Sequence, residues 1–189
     1  SERGIDRVRF QTSPAGAGTW TDACEDTSAP YACDWDSAGV AGGLRDVRAT
    51  AVDQAGYQRT STVLARLFDN TLPVAGLSDP GIIRGTKLLT ATGTDALSGL
   101  ASVSIAYRPA GGSWTTLCSG LISPQICALD STTLADGPHE LRARATDAVG
   151  NQHEVTLTRT VDNTAPTASI TVPAGVTGTI TVPVTADDG

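Results

Sequence analysis

The sequence predicts an all-β fold, on three observations. Landmark residues recur about 94 positions apart, short runs alternate apolar with polar residues, and turns rich in Gly, Pro, Asp and Asn separate those runs at regular intervals. Trp20 and Trp114, Cys24 and Cys118, Cys33 and Cys127, and Asp53 and Asp147 each stand 94 residues apart, while Asp69 and Asp162, like Pro73 and Pro166, stand 93 apart. FQTSPAGAGTWTDAC thus lies over IAYRPAGGSWTTLC, and VRATAVDQAGYQ over LRARATDAVGNQ. The period is about one domain long.

The elements follow in order from a two-residue alternation, because successive side chains of a strand point to opposite faces of its sheet. Strands are expected near residues 75–78, 86–93, 100–108, 113–118, 125–130, 139–147 and 153–161. In VSIAY, Val103, Ile105 and Tyr107 face inward. In HELRARATD, Leu141, Ala143 and Ala145 face one way and Glu140, Arg142 and Arg144 the other. VTLTRTV alternates less cleanly through Val155, Leu157 and Arg159. Pro109-Ala-Gly-Gly, Asp136-Gly and Asp147-Ala-Val-Gly-Asn supply turns. About seven short strands in about 94 residues is what an immunoglobulin-like β-sandwich requires.

SGLASVSIAYRPAGGSWTTL, then LADGPHELRARATDAVGN, then VDNTAP resembles the bacterial Ig-like repeats found in tandem in large surface and secreted proteins, adhesins among them. The resemblance covers essentially the whole chain. It implies tandem immunoglobulin-like sandwiches forming an extracellular, secreted or cell-surface bacterial stalk or fibre, with no catalysis and with an adhesive role in some members. The cysteines depart from that pattern. Cys24 with Cys33 and Cys118 with Cys127 each enclose eight residues, a spacing repeated in both halves that reads as two disulfides in an oxidising compartment. Each is expected to staple a local hairpin. A zinc set is disfavoured, since no Cys-x-x-Cys or nearby His completes one.

The period divides the chain into 1–72, a repeat lacking its first two strands, 73–165, a complete repeat, and 166–189, the first two strands of a third. Two readings are open. The sequence is a segment of a longer tandem array, or residues 167–189 complete the sandwich of residues 1–72 in a neighbouring chain by strand addition. The expected partners are therefore neighbouring repeats, in the same chain or head to tail in adjacent chains.

Composition excludes other classes. The net charge of −7, with 16 of the 20 acids being Asp, repels a polyanion, so nucleic acid is not expected. No apolar run is long enough to span a membrane, and SERGIDRV lacks the apolar stretch of a signal peptide. Gly-x-Ser-x-Gly, phosphate-loop and His-Glu-x-x-His motifs do not occur. His139 and His153 lie over Arg45 and Arg59 and are expected at exposed strand positions, and Lys87 lies over Ile180 as a surface lysine.

Two groups remain as candidates. Trp20 and Trp114 follow the Gly-rich hairpin, where they either cover the edge of a core or offer a platform for a glycan or another cell-surface receptor. Trp35, replaced by Leu129 in the other repeat, reads as core. The second candidate is acidic. In a sandwich of this kind the loops after the second and sixth strands share the pole where the chain enters. This brings Asp69 and Asn70 of one linker toward Asp95, Asp147 and Asn151, and sets Asp162 and Asn163 toward Asp187 and Asp188. Hard oxygen ligands in that number suit Ca²⁺. The bland alternative is a set of Asx turns and proline-bounded strand ends. The function expected is thus a rigid extracellular spacer, the alternatives being a glycan-binding module and an accessory region of a secreted enzyme.

Overall fold

The computed structural model describes residues 4–188. In chain order the strands are β1 (Ile5–Pro14), β2 (Thr21–Asp26), β3 (Gly43–Asp53), β4 (Gln58–Thr60), β5 (Leu64–Phe68), β6 (Val74–Leu77) and β7 (Thr86–Thr94). They continue as β8 (Leu100–Pro109), β9 (Thr115–Gly120), β10 (Gln125–Asp130), β11 (Gly137–Asp147), β12 (Gln152–Val161), β13 (Thr167–Ile170) and β14 (Val184–Asp187). One 3₁₀ turn, Ser131–Thr133, interrupts them, and no α-helix occurs among the described residues. The fold is all-β with antiparallel sheets, as the alternation predicted.

Two compact units emerge. One holds the chain up to Val74 together with Thr94–Ala101 and Thr146–His153; the other holds Ala75–Gly93, Ser102–Ala145 and the residues from Glu154 on. The first unit is discontinuous for a local reason. Its two inserted loops hydrogen-bond to the 69–71 segment, as described below.

The second unit is a sandwich. A three-stranded sheet in the order β10-β7-β6 and a four-stranded sheet in the order β12-β11-β8-β9 bury their inward residues completely or nearly so. Leu89 and Ala91 of β7, Leu129 of β10, Val103 and Ile105 of β8, and Leu141, Ala143 and Ala145 of β11 form this core. Strand β6 pairs with β7, yet further along Ile83 bridges Val161 in parallel, with Ile83 N–H donating to Thr160 C=O at 2.9 Å. The first strand thus leaves one sheet and touches the last strand of the other, an immunoglobulin-like arrangement.

The first unit has one sheet, β2-β1-β3-β4, with β5 also on β3. β4 pairs with Thr50–Val52 and β5 with Gly43–Val47, so together they occupy the edge that β12 takes alone in the other repeat. A β-bulge falls between Phe10 and Gln11 and again between Ile105 and Ala106, the same point of the pattern. Residues 31–36, which lie over β10, form no strand. β10 takes its ladder from β7, whereas among the described residues no strand pairs with 31–36.

Two expectations are corrected. Cys118 lies on β9 and Cys127 on β10, which belong to different sheets, so this disulfide ties the two layers of the sandwich rather than closing a hairpin. Cys24 on β2 is bonded to Cys33 in the strandless 31–36 segment. His139 is 3% exposed, because it shares the inward register of Leu141 two residues on, and its Nδ1 lies 3.2 Å from Gly137 C=O.

A candidate metal centre of three aspartates

Asp147 ends β11, and its Oδ1 accepts N–H bonds from Val149 (3.0 Å), Gly150 (2.7 Å) and Asn151 (2.8 Å). The turn closes because Gly150 takes a φ of 100°, open to a residue without Cβ. Asp95 does the same after β7, with Oδ1 accepting from Leu97 (3.1 Å) and Gly99 (2.7 Å). Asp69 follows β5, its Oδ1 accepting from Thr71 N–H and its Oδ2 from Ser98 N–H, both at 2.9 Å. Each aspartate is an Asx turn on its own. Together they converge.

Ligand oxygens of Asp69, Asp95 and Asp147 lie within 4.8 Å of one another, and among the described residues this is the acidic group that does so. Asp147 is 1% exposed and Asp69 7%. Hydrogen bonds from Ser98 and from Thr71 hold the Asp69 carboxyl below its ordinary value, so it stays ionised. Asn151 closes one side, its Nδ2 donating to Asp147 Oδ2 (2.7 Å), Asp69 C=O (3.0 Å) and Thr71 C=O (3.2 Å). Asp95 Oδ2 is inaccessible to solvent and has no hydrogen-bond partner. A buried carboxylate oxygen without a donor, beside two more carboxylates, is costly unless a cation shares the space.

The other expected ligands are placed differently. Asn70 Nδ2 donates to Ser37 C=O (2.8 Å) and Val40 C=O (3.3 Å), away from the three carboxylates. Asn163 repeats this tie, Nδ2 donating to Ser131 C=O (2.7 Å) and Leu134 C=O (3.3 Å) while its Oδ1 accepts from Ser131 Oγ (2.8 Å). These amides clamp their linkers to the loop before β3 or β11. Asp162 accepts from Thr164 N–H at 3.2 Å and, with Asp136 and Asp188, lines an open cavity in the second unit. Asp187 is exposed on β14. Asp136 was legible only as a turn residue, yet it accepts Asn163 N–H (2.7 Å) and the Thr164 hydroxyl, which lower its pKa.

The tryptophans have cationic cover. The Arg48 guanidinium sits 3.9 Å over the Trp20 ring, and those of Arg108 and Arg142 each sit 4.3 Å from the Trp114 centroid. Both indoles are half-buried. Trp35 packs on Phe68 with ring centroids 5.3 Å apart, both side chains half-buried rather than enclosed in a core.

No protein-family model matches this chain, and no curated protein matches it. Among solved structures it is similar to a crystal structure of a tetra-tandem repeat in the extending region of a large adhesion protein, at 20% identity over 90% of this chain with a TM-score of 0.44. The chain spans 45% of that structure's length.

Proposed function

We propose that this chain is a non-catalytic structural repeat of an extracellular stalk or fibre, in which Ca²⁺ held by Asp69, Asp95 and Asp147 fixes the linker after β5 against the loops that follow β7 and β11. The convergence of the three carboxylates, together with an Asp95 Oδ2 that is buried without a hydrogen-bond partner, carries this reading. The donor set fits a hard cation, being all oxygen and anionic. Bound there, the ion offsets the mutual repulsion of three carboxylates and cross-links three chain segments that are distant in sequence. Two disulfides support an oxidising, extracellular setting. Partners are further repeats, in the same polypeptide or head to tail.

His139, the residue type that most often serves as a general base, is enclosed in the core register, and the Ser98 hydroxyl beside the aspartates donates to Asp95 Oδ1 at 3.5 Å. The glycan reading is disfavoured by the guanidinium groups over both indoles. Calorimetric titration with Ca²⁺ after chelation tests the proposal: one site is expected, absent in Asp95→Ala. A wild-type chain that takes up no Ca²⁺ would leave the three aspartates as turn formers alone.

A further inference from the structure

We propose that the outer face and free edge of β10, with Leu88 of β7, form a surface on which a second copy of this chain docks side by side, β10 pairing antiparallel with β10 about a two-fold axis. In the three-stranded sheet, Leu89 and Ala91 of β7 and Leu129 of β10 point into the core, so the residues between them point to solvent. Several of these are apolar. Leu88 is 68% exposed beside its cross-strand partner Ala128, itself exposed, and Ile126 is 55% exposed opposite Thr90. The loop entering β10 adds Leu121 and Ile122, 80% and 67% exposed.

The fold does not demand these residues. Counting from the paired cysteines, Thr27 and Ser28 stand where Leu121 and Ile122 do, Ala32 where Ile126 does, and Asp34 where Ala128 does. Thr181 stands where Leu88 does. Exposed apolar side chains that related stretches of the same chain replace with small and polar ones mark a contact surface.

The backbone fits one occupant. Ser78 N–H donates to Thr90 C=O at 2.9 Å and Thr90 N–H to Ser78 Oγ at 3.2 Å, so Thr90 directs its main-chain groups toward β6. Leu89 and Ala91, one residue either way, therefore direct theirs to Cys127 and Gln125 of β10. Since β10 ends its sheet, the N–H and C=O groups of Ile126 and Ala128 face the open edge. With a two-fold axis at Cys127, Ile126 of each copy falls opposite Ala128 of the other and exchanges both main-chain bonds with it, a large side chain beside a small one.

The charge pattern fits a second copy as well. Molecules of net charge −7 repel wherever their acids meet, but no charged residue occurs between Arg108 and Asp130, and this axis sets each Asp130 beside Pro124 of the other copy. Natural sheet edges are guarded by charged residues, Pro or a bulge, and residues 125–129 carry none of these. The contact is isologous, so it closes at the dimer. It joins repeats laterally, beyond the end-to-end series proposed above, and does not involve the cation.

Sedimentation velocity and native mass spectrometry in a chelator test it. A monomer–dimer equilibrium is expected with a dissociation constant on the order of 100 μM, as suits one strand edge and a few side chains at the small end of specific interfaces. Ile126→Lys and Ala128→Asp should each weaken it at least about tenfold by placing an unpaired charge at the joint. Both positions are exposed in the single chain, so each variant keeps the wild-type circular dichroism spectrum and melting temperature. Mixing the two recovers the dimer, because the introduced ammonium then lies opposite the introduced carboxylate while the second Ile–Ala contact stays native. A wild-type chain that is monomeric at about 1 mM would overturn the proposal and leave the edge to a strand of another protein. Dimers that survive Ile126→Lys, wild-type species larger than the dimer, or a mixture that stays monomeric would overturn it equally.

Discussion

Asp147→Ala is the most informative single perturbation, because the other repeat supplies its control. Asp147 Oδ1 caps three backbone N–H groups and Oδ2 takes the Asn151 amide. Asp53, its repeat counterpart, caps two, from Ala55 and Tyr57, both at 2.8 Å, and lies in no carboxylate cluster among the described residues. Bonds to an ionised acceptor contribute about 1.5 to 3 kcal/mol each when sheltered and about 1 when water can replace them, and at the buried Asp147 relief of the repulsion from Asp69 and Asp95 offsets part of the larger value. Asp53→Ala is expected to cost about 2 kcal/mol and Asp147→Ala about 3 to 4 in a chelator. For a chain of this length that is roughly 4 to 8 °C and 6 to 16 °C of melting temperature.

Ca²⁺ then separates the two roles. At a hundredfold excess over its dissociation constant a single-site ligand adds about 2.7 kcal/mol, which wild type and Asp53→Ala should both gain. Asp147→Ala should gain almost nothing. Thermal unfolding followed by far-ultraviolet circular dichroism, with chelator and with Ca²⁺, reads all six values. An equal Ca²⁺ shift in all three proteins would refute the reasoning, since the ion would then be acting elsewhere.

Acid should expose the Asp79–Arg159 pair. The Arg159 guanidinium, with the Gly81 N–H, lowers Asp79 to about 2 in the folded chain, against about 3.9 for a free aspartate. The stabilisation is therefore complete above the unfolded value and is lost as pH falls from about 4 to about 2, so wild type and Asp79→Asn should converge there in acid unfolding. Replacing Cys118 and Cys127 by Ala should cost about 2 to 3 kcal/mol, the chain-entropy value for so short a loop, measured by urea unfolding. Asn163→Asp places a carboxylate against the carbonyls of Ser131 and Leu134 in place of a donor, and should destabilise by about 2 kcal/mol or more by the same assay.

The strands of the complete repeat were legible almost to their ends. β8 was expected at 100–108 and runs Leu100–Pro109, and β12 was expected at 153–161 and runs Gln152–Val161. Side-chain alternation is a local property, and it survives whatever packs above it. Residues 31–36 show the opposite case, because a strand needs a neighbour and no described strand pairs with them. The inter-sheet course of Cys118–Cys127 was hidden for a related reason: spacing along the chain does not say which layer each cysteine joins. His139 could have been placed, since its parity matches Leu141. The convergence of Asp69, Asp95 and Asp147 followed from the pole geometry of the sandwich. The turning of Asn70 and Asn163 toward carbonyls about thirty residues earlier did not, because Asp-Asn-Thr carries no local mark of so distant a partner.

The asparagine clamps also bear on how such a chain carries load. Tension applied through the linker after β12 does not arrive at the free end of that strand. The Asn163 side chain diverts it into Ser131 and Leu134, between β10 and β11, and the bridge at Ile83 and Val161 takes a further share. β12 is an edge strand, which a pull from its end would otherwise peel away one hydrogen bond at a time. Anchored this way, several bonds in two layers must yield together before the strand begins to open. The Asn163 amide and the Ile83–Val161 bridge together turn a pull on this linker from unzipping toward shear.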